Sequence, residues 1–246
     1  ALPISELGGA GAGLGTSLAY WALLLISIVV IKKHQKVKPY HIEKIQPLDK
    51  AALIDALKLG LPIGGTVFAE VAIFSGVGLI MAKYPSLVIA SHQAAMNFSN
   101  LMYAFPLSIS SAMAIIISYE FGARRMNAVK SYSKLGRLTA LGFSIFTLIF
   151  LYFLRYDLAE LYGHEPDFLR MTAIFMTYSL FFQVADVFAA PLQGILRGYK
   201  DTKVPFYLGV LAYWGITFPV GFLLEKVTGL GPYSYWIGLI ASLIVS

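Results

Sequence analysis

The stretch LGLPIGGTVFAEVAIFSGVGLIM, residues 59–81, decides how this chain folds. A bilayer crossing needs about 20 consecutive, mostly apolar residues. This run is long enough, and Glu70 is the only charge between Lys58 and Lys83. A carboxylate at that depth costs about 2.5–3.5 kcal/mol on insertion scales, so side chains of this kind are retained for function by default. The stretch therefore predicts a membrane span with a working carboxylate in its middle.

Composition agrees. Of 246 residues, 58% are hydrophobic and 13% are charged, where soluble domains carry about 25% charged residues. The mean hydropathy is +0.71. There is no cysteine, which excludes a disulfide framework and a thiolate metal centre. The net charge of +6 is no nucleic-acid signal, because it is distributed between apolar runs rather than gathered on one patch. The sequence starts at ALPISELGG and stops within the apolar run YWIGLIASLIVS. Both ends read as cuts in a longer protein.

Reading between the charges gives about seven spans, near 8–31, 59–81, 87–117, 134–154, 171–196, 204–224 and 232–246. The last reads as truncated, and Pro106 predicts a bend in the third. The fold class expected is an all-α polytopic membrane protein. Loop charges set its orientation. The segments 32–58, 118–137 and 197–203 hold 15 of the 19 Lys and Arg residues, and the alternate loops hold four. By the positive-inside rule the first group is cytoplasmic. The N-terminal end is then outside and the C-terminal end inside.

Within 32–58, PLDKAALIDALKLG reads as a short amphipathic helix along the cytoplasmic interface. Asp49 is its expected N-cap. Three parts follow: one transmembrane helix over 1–31, a basic cytoplasmic linker over 32–58, and a six-helix lobe over 59–246.

Two acids remain inside the membrane once the loops are accounted for, Glu70 and Asp186. Each lies 11 or 12 residues from a cytoplasmic cation, Lys58 or Arg197. At about 1.5 Å per residue both sit near the midplane, with no Lys or Arg expected at that depth. A carboxylate facing a polar cavity can exchange a proton, Na⁺ or an organic cation. The competing reading is a protonated acid gluing two helices.

Gln93, Asn97, Asn100 and Tyr103 are spaced four, three and three apart and share one helical face. Phe74 lies one turn from Glu70, while Phe182 and Gln183 lie one turn before Asp186. Aromatic faces beside carboxylates suit lipophilic cations. His92 is offset from the polar stripe and reads as structural. From the residues alone the class is a cation-coupled transporter or channel, with no enzyme constellation and no cofactor motif.

Two other signals are weaker. GGAGAGLGTS, residues 8–17, fails the G-x-G-x-x-G spacing and has no preceding strand. Its glycines form small-xxx-small pairs suited to close helix contact. RGYKDTKVP, residues 197–205, could hold a phosphate, but a tight turn in which Asp201 or Thr202 caps the next helix is the simpler reading.

These residues resemble the MATE family of multidrug and toxic compound extrusion transporters, in its bacterial NorM-like branch. LGGAGAGLGTSLAYW resembles the start of the family's sixth helix, and LKLGLPIGGTVFAEVAIF its seventh. ASHQAAMNFSNLMYAFPLSIS resembles the eighth, and FFQVADVFAAPLQGILRGYKDTKVP the tenth with the loop after it. The resemblance implies helix six plus the carboxy-terminal lobe of a twelve-helix antiporter in the cell membrane, whose amino-terminal lobe is a partner. Cationic and amphipathic drugs would leave in exchange for Na⁺ or H⁺. It implies Glu70 and Asp186 as coupling carboxylates and the ligands of Na⁺ if sodium is the ion. Tyr103 would be an aromatic cation partner, and Phe74 and Gln93 would line the drug cavity; the full substrate-cavity set expected adds Asn97, Asn100, Phe182 and Gln183. Some members carry tyrosine where this chain has Phe182, which removes one oxygen from a Na⁺ site. A lipid-linked oligosaccharide flippase of the same superfamily is the alternative, but its cavity should be basic. An intramembrane aspartyl protease would need a G-x-G-D motif, which is missing.

Overall fold

Residues 8–33 and 49–246 are described in the computed structural model, and every regular element among them is an α-helix. In order these are α1 (Gly8–Lys33), α2 (Lys50–Met81), α3 (Ser86–Gly122), α4 (Met126–Glu160), α5 (Pro166–Gly198), α6 (Lys203–Thr228) and α7 (Tyr233–Val245). Helices answer the need of a chain in lipid, where each backbone N–H and C=O must find a partner within the protein. Six of them are long and apolar enough to cross a membrane. The seventh, α7, has 13 residues and is about 20 Å long, short of the ~30 Å hydrocarbon core. The protein is an all-α, multi-pass membrane protein.

Most of the basic linker expected over 32–58 lies outside the described residues. Its last part differs from expectation. Residues 50–58 do not form a separate interfacial helix. They are the opening turns of α2, which runs unbroken to Met81 through Pro62. Proline inside a helix removes one backbone bond, yet membrane helices tolerate it because neighbouring groups re-satisfy the backbone. Asp49 caps this helix, its Oδ1 accepting the Ala51 N–H at 2.9 Å.

The chain divides into two compact units, residues 1–53 and 54–246. In the first, α1 shows apolar side chains on all sides, with Leu18, Trp21 and Leu25 exposed. A helix apolar all round is a membrane span or a core helix. Gly13 and Gly15, expected at a close helix contact, have open space where a Cβ would stand.

Among the long helices of the second unit α5 is the most buried. Its broadest interface is with α3, and α7 packs mainly on α6. Small residues set these distances. A Cβ on Gly194 would stand 2.9 Å from the Cα of Ser110, and one on Gly238 would stand 3.3 Å from the Cα of Thr217. The main core gathers Ile73, Val77, Phe98, Phe175, Tyr235 and Trp236. A smaller one, Met113, Ile117, Val129 and Ile195, joins α3, α4 and α5.

At one end of this unit the α2–α3 turn is tied to α6 and α7. Lys83 Nζ lies 2.6 Å from Glu225 Oε1, and Tyr235 donates to Glu225 Oε2 at 2.6 Å. Tyr84 donates to the other carboxylate oxygen.

Candidate functional site

Glu70 projects from α2, Tyr103 from α3 and Asp186 from α5. The bundle brings the three together: the Tyr103 hydroxyl stands against the Glu70 carboxyl, and both carboxylates act on it electrostatically. Asp186 is only 5% exposed, and its Oδ2 is buried without a hydrogen-bond partner. A buried, unpaired carboxylate oxygen is costly to leave so.

Prolines sharpen the arrangement. Pro106 in α3 and Pro191 in α5 lie inside their helices. Each deprives the carbonyl four residues earlier of its helical partner. Those carbonyls belong to Met102 and Val187, the immediate neighbours of Tyr103 and Asp186.

Two cavities lie along this face of the bundle, and Glu70 lines the smaller of them. The outer one, about 880 Å³, is lined by Phe74, His92, Gln93, Asn97, Asn100 and Tyr162 among others. The inner one, about 290 Å³, is lined by Glu70, Tyr103, Phe182 and Arg197. Phe74, Met96 and Asn100 belong to both walls. Phe74 and Phe182 meet edge to face with centroids 5.5 Å apart. The polar stripe thus lines cavity surface along its whole length, and Asn97 Oδ1 accepts a hydrogen bond from Tyr162 at 3.0 Å.

Not every expected residue reaches the cavities. Gln183 lies behind the wall, with its Nε2 buried and unpartnered, and Asp186 is on neither cavity surface. His92 is tied into the core: its Nδ1 accepts the Trp236 indole N–H at 3.2 Å, and Phe175 packs against its ring.

Two residues were missed. Arg197 was counted as a loop cation at the end of a span. It lines the inner cavity, interacts with Glu70 and is held by Gln193 Oε1 at 3.3 Å. The expectation of no cation near the carboxylates is therefore corrected. Helical side chains lean toward the N-terminus of their own helix, so an arginine near the end of α5 points back into the lobe. Tyr213 of α6, 3% exposed, faces both carboxylates. Nothing in its local sequence, LAYWG, distinguishes it from a packing tyrosine. Among the described residues no three His, Cys, Asp or Glu side chains gather as a metal centre.

An all-helical bundle of this length and apolarity is the architecture of a multi-pass membrane protein. Residues 62–223 match the MatE family, and the chain belongs to it. It is 65% identical over 246 residues to the probable multidrug resistance protein NorM of Streptococcus pneumoniae (strain ATCC BAA-255 / R6), covering 100% of this chain and 54% of that relative. It is 45% identical over 238 residues to the protein of the same name in Bacillus subtilis (strain 168), covering 96% and 53%. The fold matches that of the eukaryotic MATE transporter AtDTX14 with a TM-score of 0.84 at 16% identity, over 96% of this chain and 53% of that one. The chain spans about half the length of the curated relatives it matches.

Proposed function

We propose that this chain is one helix and the carboxy-terminal lobe of a multidrug antiporter that exports cationic or amphipathic compounds in exchange for H⁺ or Na⁺. The observation that carries this reading is the meeting of Glu70 and Asp186 beside Tyr103 inside an apolar bundle, with Glu70 and Tyr103 on a cavity wall. The relatives' printed name, multidrug resistance protein, agrees with it.

In this reading the drug rests against the aromatic and amide surface of the outer cavity, with Phe74, Gln93, Asn97 and Asn100 as its contacts. The coupling ion occupies the carboxylate pair. Na⁺ would use Glu70, Asp186 and the carbonyls released by the two prolines, and a proton needs only one carboxylate oxygen. Ion and drug exclude one another because both neutralise the same charge. Export follows if the ion binds the outward- and inward-facing states with different affinity, with the two lobes rocking about the cavity. The basic loops face the cytoplasm, which puts the N-terminal end of this chain outside. A flippase for lipid-linked oligosaccharides is disfavoured. Arg197 is the only cation on either cavity wall among the described residues, and it faces Glu70.

The test is efflux of a fluorescent lipophilic cation by the full-length protein that contains this chain, driven in turn by a pH and a Na⁺ gradient. Glu70→Gln and Asp186→Asn should fold and insert normally yet lose gradient-driven efflux, and the effective gradient identifies the ion. Normal efflux by both variants would refute the assignment.

A further inference from the structure

Two helices of the lobe end in the same unusual way. After α3, Arg124 adopts φ 58°. Its N–H bonds to the Phe121 carbonyl and the Arg125 N–H to the Glu120 carbonyl, both at 3.0 Å. After α5, Lys200 adopts φ 63°. Its N–H bonds to the Arg197 carbonyl and the Asp201 N–H to the Leu196 carbonyl, again both at 3.0 Å. This helix ending selects glycine at its left-handed residue, because a Cβ there crowds the backbone. The turn between α6 and α7 obeys the preference with Gly229 and Gly231, at φ 65° and 55°. The other two turns carry an arginine and a lysine in the strained position instead.

The two turns are neighbours. Phe121 and Tyr199 meet edge to face at 5.0 Å. Gly198 permits the approach, since a Cβ on it would stand 2.7 Å from Ile117 Cβ. Between the turns lies a cavity of about 460 Å³ lined by Arg124, Lys200, Phe121 and Met126. No acid lines it. Glu120 is held by Arg125 at 2.6 Å, and Asp201 turns toward the Val204 N–H at 3.5 Å. Arg124 and Lys200 make no ion pair among the described residues.

We propose that this cavity binds the phosphate group of an anionic membrane lipid. It lies where two spanning helices end, at the depth of headgroups, and basic pockets between such helices hold anionic headgroups. Phe121 and Met126, 42% and 45% exposed, give an acyl chain an apolar wall, which a soluble phosphate would not use. The unpaired cations then have their counter-charge, and the strained turns have a function. The proposal needs only the membrane placement of the fold, not the antiport reading, and its test does not involve transport.

The experiment uses the full-length protein that contains this chain, purified in detergent and offered equal amounts of phosphatidylglycerol and phosphatidylcholine. Bound lipid is read by native mass spectrometry. Phosphatidylglycerol should be retained in preference. Arg124→Gly with Lys200→Gly suits both turns better than the parent residues, so the double variant should melt no lower than the parent. It should bind phosphatidylglycerol about 30-fold more weakly, the worth of two cations near an anionic surface. Arg124→Lys with Lys200→Arg should restore binding. Equal retention of the two lipids, or an unchanged affinity in the double glycine variant, would overturn the proposal. Displacement of phosphatidylglycerol by millimolar inorganic phosphate would overturn the lipid assignment in favour of a soluble phosphate.

Discussion

Gly194→Ala adds a single methyl group where α5 meets α3. The Cβ would stand 2.9 Å from the carbonyl carbon and the Cα of Ser110. These are backbone atoms, which cannot rotate aside, so the helices must part. Overpacking of this kind costs about 1–3 kcal/mol, while alanine gains up to about 1 kcal/mol over glycine in helix propensity. The net loss is up to about 2 kcal/mol once that gain is counted in full, or up to roughly 8 °C in melting temperature for a unit of this size. Gly142→Ala in α4 is the control. Its Cβ meets nothing within 4 Å, so only the propensity gain remains, and melting should rise by about 2–4 °C. Because α3 and α5 carry Tyr103 and Asp186, parting them should also slow efflux in Gly194→Ala and leave Gly142→Ala unchanged. Both are read by thermal unfolding in detergent and by efflux from cells. If Gly194→Ala melts at or above the parent, the close α3–α5 contact is wrong.

Other consequences follow from the site and the ends of the bundle. Arg197→Gln removes the cation that shares the inner cavity with Glu70, so equilibrium binding of a lipophilic cation should tighten, on the order of tenfold, with little change for a neutral ligand. Trp236→Phe leaves the buried His92 Nδ1 without its donor, a loss of about 1–3 kcal/mol that should lower melting yet leave the ion dependence of efflux intact. At the α2–α3 turn, burial first and then the hydrogen bond to Glu225 push the Tyr84 hydroxyl up to about 12. Lys83 is also raised: burial opposes its charge, and its Glu225 and Tyr84 partners outweigh that effect. Both groups titrate higher in the fold than unfolded, so their stabilisation is full below about pH 10. The Tyr84 share is lost as pH rises through about 12 and the Lys83 share as pH rises above its unfolded value, and melting between pH 9 and 12 should fall less steeply in Glu225→Gln.

How far the fold could be read from sequence depended on the feature. Spans were legible because the bilayer imposes a length and an apolar composition on each segment separately, and Lys and Arg are kept to the loops. Glu70 and Asp186 were legible as the acids left over. The register that brings them together was not, since it rests on close contacts such as Gly194 with Ser110, which join residues 84 positions apart. Arg197 was misread because its Cα sits at a helix end while its long side chain reaches inward to Gln193, and stem and head of an arginine can occupy different environments. Tyr213 went unnoticed and Gln183 was expected on the cavity for a related reason: periodicity says which residues share a face, but not what that face meets. The interfacial helix was expected because Lys50, Asp55 and Lys58 make residues 50–58 amphipathic, but amphipathic character does not mark where a helix ends, and α2 runs on through them.

The central claim is that ion and drug exclude one another because both neutralise the charge of one carboxylate pair. It is tested most directly by adding a lipophilic cation to the purified full-length protein in weak buffer, while recording released protons and displaced radioactive Na⁺. The parent should release one of these ions in proportion to drug bound, and Glu70→Gln and Asp186→Asn should release much less or none. Drug binding that releases no ion in the parent, or equal release in both variants, would contradict the account.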